Sequence, residues 1–296
     1  MASRGVDDQL AALDALKDRP PSDAAIAQLA KALSNKSNVI VARAAAIAGA
    51  MRATSLADAM SAAFVRFVDG GDKGCLAKTA IVKALVRMEA GDESVFLTGS
   101  RLVQMEPTWG GSADSAIELR CESVSELVRR NSRCMWEPLV HLLADADAGA
   151  RAVAARALGA TGQDHAKYLL QYKLLVGDKE PAVMGECFAG VLSLMKSAAL
   201  VAPFLDSHDE ELREAAIIAL GESRLPEAFE LLRGLMPQTK LILLAIAMTR
   251  QPAAIEYLLS LLANPNHRAA ALEALAMYRN DPAIRAKIEQ ATKEPT

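Results

Sequence analysis

The feature that most constrains this chain is a motif that recurs along it. Residues Arg151–Gly159 read RAVAARALG and Arg213–Gly221 read REAAIIALG. Both fit R-x-x-A-x-x-A-L-G, and RAAALEALA from Arg268 to Ala276 keeps all but the final glycine. Looser copies start at Lys78 (KTAIVKALV), Met184 (MGECFAGVL) and Lys240 (KLILLAIAM). From Arg151 onward, through Met184, Arg213, Lys240 and Arg268, successive anchors lie 33, 29, 27 and 28 residues apart. A fixed period of that length is the mark of stacked supersecondary units, each unable to bury its apolar face alone.

Ahead of the copies lie further apolar segments: AAIAQLAKALSN from Ala24, EPLVHLLAD from Glu137, AKYLLQYKLLVGD from Ala166 and AAIEYLLSLLAN from Ala253. Their apolar residues recur every three or four positions, which places them on one helical face. Most end in Asp or Asn, a side chain suited to turns and helix N-caps. The spacing predicts eight helix pairs, beginning near Ala24, Ala57, Asp92, Met135, His165, Ala198, Pro226 and Ala253. Terminal helices over Asp7–Lys17 and Asp281–Thr292 would cover the ends. The small residues of the motif let the second helix of each pair approach its neighbours closely.

Composition supports an all-α reading. Apolar residues make up 52% of the chain but aromatics only 4%, so Ala, Leu, Ile, Val and Met must build the core. Ala and Leu are the strongest apolar helix formers, and runs rich in β-branched and aromatic residues are few. The formal charge of −3 lacks the basic excess expected of a phosphate-backbone binder, so no nucleic-acid partner is expected. No charge-free stretch of about 18 apolar residues occurs, so no membrane span is expected. The first residues contain no apolar segment of the secretory type. The four cysteines, Cys75, Cys121, Cys134 and Cys187, form no C-x-x-C pair and read as reduced, buried small hydrophobes of a cytoplasmic protein.

Units of the form D-x-x-x-R-x-x-A-x-x-A-L-G, at Asp147–Gly159 and Asp209–Gly221, resemble HEAT-like repeats of the phycobilisome-lyase type. The resemblance extends over nearly the whole chain. It is strongest from Glu137 to Gly221 and weakest between Asp92 and Arg133. With GESRLPEA at Gly221–Ala228, the sequence also looks like bacterial HEAT-repeat-containing proteins. The resemblance implies a right-handed α-α superhelix in a single domain over 1–296. Residues 1–20 would form an N-terminal cap, 22–279 the repeats, and 281–296 a C-terminal helix and tail. It also implies a concave surface lined by the second helices, but no single activity, because function resides in sites rather than in the fold.

Catalytic signatures are missing. None of His141, His165, His208 and His267 is followed by Glu, and H-E-x-x-H does not occur, so no metal site is expected. His141, inside an apolar helix, reads as a hydrogen-bonded, partly buried side chain, and His208 as a solvated turn residue. No glycine-rich phosphate loop or G-x-S-x-G is present, and no cofactor is implied. Arg151, Arg213 and Arg268 share one repeat position, with Asp147, Asp209 and Asn264 four residues earlier. They read as a structural ladder of Asp/Asn–Arg pairs. The inner helices would present Thr79, Lys83, Arg156, Gly185, Glu214, Ile218, Leu241 and Glu273, a mixed set and not a cationic stripe. The acidic turn from Asp206 to Glu214 reads as a capped helix start.

One stretch breaks the rhythm. VQMEPTWGGSADSAIELR, Val103–Arg120, contains Pro107, Trp109, Gly110 and Gly111. It predicts a connection of about ten residues followed by a capping box from Ser115 to Glu118. Trp109, with Met105 beside it, would either cover the seam between neighbouring units or contact a partner. The expectation is a non-enzymatic interaction protein that binds another protein. Met105, Glu106 and Trp109 in the Met105–Gly111 connection, and Arg156, Glu214 and Ile218 on the second helices, are the candidate contacts. The alternatives are a tetrapyrrole-attaching lyase or a DNA-glycosylase-like protein on the same repeats.

Overall fold

The computed structural model describes residues 2–17 and 21–293. The chain divides into two compact units, Met1–Ala157 and Leu158–Thr296. In the first, the α-helices are α1 (Ala2–Asp14), α2 (Asp23–Leu33), α3 (Asn38–Ala50), α4 (Ala57–Asp69), α5 (Leu76–Met88), α6 (Glu93–Gly99), α7 (Ile117–Arg129) and α8 (Trp136–Leu143). α9 (Ala148–Ala160) contains the division. The second unit holds α10 (Asp164–Val176), α11 (Pro181–Met195), α12 (Glu210–Ser223), α13 (Pro226–Gly234), α14 (Lys240–Met248), α15 (Pro252–Ser260), α16 (Pro265–Leu275) and α17 (Pro282–Lys293). Between α6 and α7 stand two strands, β1 (Met105–Thr108) and β2 (Gly111–Asp114). The fold is all-α apart from this hairpin.

Helices α2, α4, α6, α8, α10, α13 and α15 begin within two residues of the positions where the repeat places a first helix. The sixth pair differs. Its first member is a five-residue 3-10 turn, Ala202–Asp206, with Pro203 in its first turn. Proline there has no N–H to donate and cannot continue a preceding helix. The terminal helices correspond to α1 and α17. Of the expected cap and tail, residues 1, 18–20 and 294–296 lie outside the described residues.

Local chemistry accounts for the helix starts. Ser22, Asp92, Asp209, Thr239 and Asn264 each accept a backbone N–H in the first turn of the following helix. Pro181, Pro226, Pro252 and Pro265 occupy first turns, where a missing N–H costs nothing.

The second helices pack against one another: α3 on α5 and α5 on α7 in the first unit, α11 on α12, α12 on α14 and α14 on α16 in the second. The motif glycine explains how close they come. A Cβ on Gly159 would stand 2.8 Å from the Gly190 Cα, and one on Gly221 would stand 2.7 Å from the Ala245 carbonyl oxygen. Neither contact is tolerable, so backbone meets backbone at these positions. The fully buried side chains include Met60, Phe64, Ile81 and Phe96 in the first unit and Phe188, Leu220 and Leu243 in the second.

Candidate functional site

The stretch expected to be an irregular connection is a β-hairpin. β1 and β2 are antiparallel, with Met105 opposite Asp114, Glu106 opposite Ala113, Pro107 opposite Ser112 and Thr108 opposite Gly111. Ser115 N–H donates to the Gln104 carbonyl at 2.9 Å. Ladder bonds alternate along an antiparallel pair, so they fall at Gln104–Ser115, Glu106–Ala113 and Thr108–Gly111. Pro107 occupies the intervening position, where its missing N–H faces outward and costs the ladder nothing. Gly110 has φ +96°, a turn conformation that a side chain would strain. Trp109 precedes it at the tip.

The alternation of polarity along β1 is inverted. Gln104 and Glu106 are half-buried, whereas Val103, Met105 and Pro107 are exposed. Val103 is 64% exposed, Met105 57% and Trp109 105%. A strand on a protein body normally turns its apolar residues inward. Here Trp109 covers no seam: it projects wholly into solvent.

Polar side chains hold the inward face. Glu106 Oε1 accepts from Gln104 Nε2 at 2.5 Å, from Gly74 N–H at 2.7 Å and from Ser115 Oγ at 3.2 Å. The Gln104 amide, with Gly74 N–H and Ser115, holds the Glu106 carboxyl below the usual range. Gln104 Nε2 also donates to the Asp72 carbonyl, and its Oε1 accepts from the buried Lys78 Nζ at 2.5 Å. The buried Asp72 carboxylate in turn accepts from Asn38 Nδ2 and from the N–H groups of Ala77 and Lys78.

The other strand is tied down by charge. Arg120 on α7 is 6% exposed. Its Nε and Nη2 donate to Asp145 Oδ2 at 3.0 and 2.7 Å, and its Nη1 donates to Asp114 Oδ2 at 2.5 Å and to the Leu102 carbonyl at 2.8 Å. Asp114 Oδ1 accepts from the N–H groups of Gln104 and Ala116, both at 2.9 Å. Burial pushes the Asp114 carboxyl up, but these two N–H groups and the Arg120 guanidinium outweigh it and hold the carboxyl below the usual range.

Several expectations are corrected here. The capping box does not form: Ser115 Oγ donates to Gln104 and Glu106, Ala116 occupies the cap position, and Glu118 pairs with Lys83 at 2.5 Å. The hairpin's end competes for Ser115. His141 is exposed, because Leu139, Leu142 and Leu143 take the buried face of α8; its Nε2 stands 3.9 Å from Glu137. Of the cysteines, Cys75 and Cys187 are buried, Cys121 is half-buried and Cys134 is exposed in the turn before α8.

At the Asp/Asn–Arg positions the acidic and amide side chains cap their helices. Asp147 accepts from Ala150 N–H, Asp209 from Leu212 N–H and Asn264 from Asn266 N–H. Arg151 reaches the carbonyls of Asp145 and Ala146, Arg213 reaches that of Ser207 with Glu210 at 3.8 Å, and Arg268 reaches that of Thr292.

Among the second-helix candidates, Arg156, Glu214 and Ile218 are exposed and Thr79 is buried. Glu214 and Ile218 line a groove of about 390 Å³ between α11 and α12. Asp72, Lys78, Gln104, Asp114, Arg120 and Asp145 were not candidates from sequence. One signal was available: V-Q-M-E-P-T-W alternates apolar and polar residues from Val103 to Pro107, the period of a strand.

No family model and no curated protein matches this chain. Among solved structures, a crystal structure of an engineered protein is similar at 15% identity over 89% of this chain and 95% of that one, with a TM-score of 0.25. No helix among the described residues is long and apolar enough to cross a membrane.

Proposed function

We propose that the chain is a HEAT-like helical-repeat protein that binds another protein without catalysing a reaction, using the Met105–Gly111 hairpin as its principal contact. The observation that carries this reading is the inverted strand. Val103, Met105, Pro107 and Trp109 face water, while Gln104 and Glu106 face the helices. Burying Arg120, Asp114 and Lys78 is costly unless they are paired, and it yields a rigid base rather than a larger core. A rigid base beneath an exposed tryptophan suits binding, because a pre-ordered aromatic anchor loses little entropy when it enters a partner's pocket.

Affinity purification of the whole chain from its native cell, compared with Trp109→Ala, tests the reading. The intact chain should retain a stoichiometric protein. The variant should bind it about 30-fold more weakly, the equivalent of about 2 kcal/mol for an anchor residue. Because the side chain touches nothing in the folded chain, stability should change by less than about 0.5 kcal/mol. A variant that unfolds, or one that keeps its partner at full affinity, would overturn the assignment.

A further inference from the structure

The groove between α11 and α12 has a floor of small side chains. Ala182, Gly185 and Ala189 of α11 recur at three- and four-residue spacing, which places them on one face. Ala215 and Ala219 of α12 face them, and Ile218, 39% exposed, is the one large apolar side chain in the groove. The glycine is informative. At Gly159 and Gly221 a Cβ would collide with the neighbouring backbone, but at Gly185 it would only touch the Ala215 Cβ at an ordinary 3.7 Å. Helix packing therefore does not demand glycine at 185. Its effect is to keep the floor open.

The rim on the α12 side is acidic. Glu211, Glu214 and Glu222 lie three, then eight residues apart, on the same stripe as Ile218. All three are exposed, and none forms an ion pair among the described residues. No basic side chain lines the groove. Glu211 and Glu214 carry like charges one turn apart on the same face. From Glu211 to Glu222 the stripe runs about 16 Å, three turns of helix.

We propose that this groove docks an amphipathic helix of a partner protein. That helix carries a narrow ridge of Leu, Ile or Met for the Gly185–Ile218 floor, flanked by Lys or Arg for Glu211, Glu214 and Glu222. The acidic rim repels a phosphate backbone, which excludes nucleic acid as the occupant. The inference rests on reading the chain as a partner-binding protein, but on residues other than those of the hairpin.

The test uses a fluorescently labelled 18-residue helical peptide of leucine and lysine, and its leucine–glutamate counterpart, against the whole chain by fluorescence anisotropy. The lysine peptide should bind, more weakly as salt rises, and should protect amides of α11 and α12 from hydrogen exchange. The glutamate peptide should not bind. Gly185→Leu, which fills the floor without altering charge, and Glu214→Lys should each weaken binding by about tenfold or more. Glu289→Lys, the same charge change on α17, should leave it within about twofold. Circular dichroism checks folding, and Glu214→Lys decides the matter if Gly185→Leu does not fold. Failure of the lysine peptide to bind, binding unaffected by the groove variants, or equal loss with Glu289→Lys would each overturn the proposal. Trp109→Ala should leave this binding intact, so failure of the hairpin reading and failure of the groove are distinguishable.

Discussion

Replacing Arg120 with methionine is the sharpest test of what holds the hairpin. The guanidinium makes four hydrogen bonds, two to Asp145, one to Asp114 and one to the Leu102 carbonyl. The three side chains are 7%, 14% and 12% exposed for Arg120, Asp114 and Asp145, so water replaces little of what is lost. Removing one partner from a buried ion pair costs about 3–5 kcal/mol. Asp114 retains the N–H groups of Gln104 and Ala116, and Asp145 that of Asp147, which places the expected loss at the lower end, about 3 kcal/mol. Asp114 has a folded-state pKa below its unfolded one. Its contribution is therefore fully present above the unfolded value near 3.9 and is lost as pH falls through the lower folded value. The gap between wild type and Arg120→Met should be widest at neutral pH and should narrow below about pH 4. Urea unfolding followed by circular dichroism, with hydrogen exchange across 104–115, measures both. A loss below about 1 kcal/mol, or a gap independent of pH, would refute the anchoring role of Arg120.

Other consequences are equally measurable. A Cβ on Gly99 would overlap Ser123 Oγ, a buried hydroxyl with no hydrogen-bond partner among the described residues. Gly99→Ala should cost about 1–3 kcal/mol in a urea titration, whereas Ser123→Ala should be neutral or stabilising by up to about 1 kcal/mol. The double variant should recover part of the Gly99→Ala loss. Burial pushes the Cys187 thiol up to about 12 and the Cys121 thiol up to about 11, and it raises Cys75 as well, while Cys134 is exposed. Native protein at pH 8 should show one fast thiol with Ellman's reagent, and four after denaturation. More than one fast thiol would contradict this burial pattern.

The helices were legible because their signals are local. Leucine spacing, Asx caps and first-turn prolines each act within one or two turns, and seven of the eight first helices begin near the expected positions. The exception is the sixth first helix, a five-residue 3-10 turn that starts at Ala202, one residue before Pro203. Lys83, Arg156 and Ile218 share the sixth position of the motif and all are exposed, whereas at the second position Glu214 is exposed and Thr79 is buried, so the register alone does not fix the outward face. The hairpin was less legible: Pro107 and Gly110–Gly111 signalled a break, and the alternation around them runs opposite to the usual inward-apolar pattern. Its base was not legible at all. Asp72, Gln104, Arg120 and Asp145 span more than seventy positions, and only the folded chain brings their charges and amides together.

Pro107 has a further bearing on how such a chain survives at high concentration. A two-stranded sheet with an apolar outer face invites pairing with a second copy, and from there open-ended assembly. On β1 the two outward positions are Met105 and Pro107, and the proline has no N–H to offer an added strand, so pairing along that edge is interrupted beside the exposed tip. The hairpin is thus guarded against polymerisation along its β1 edge.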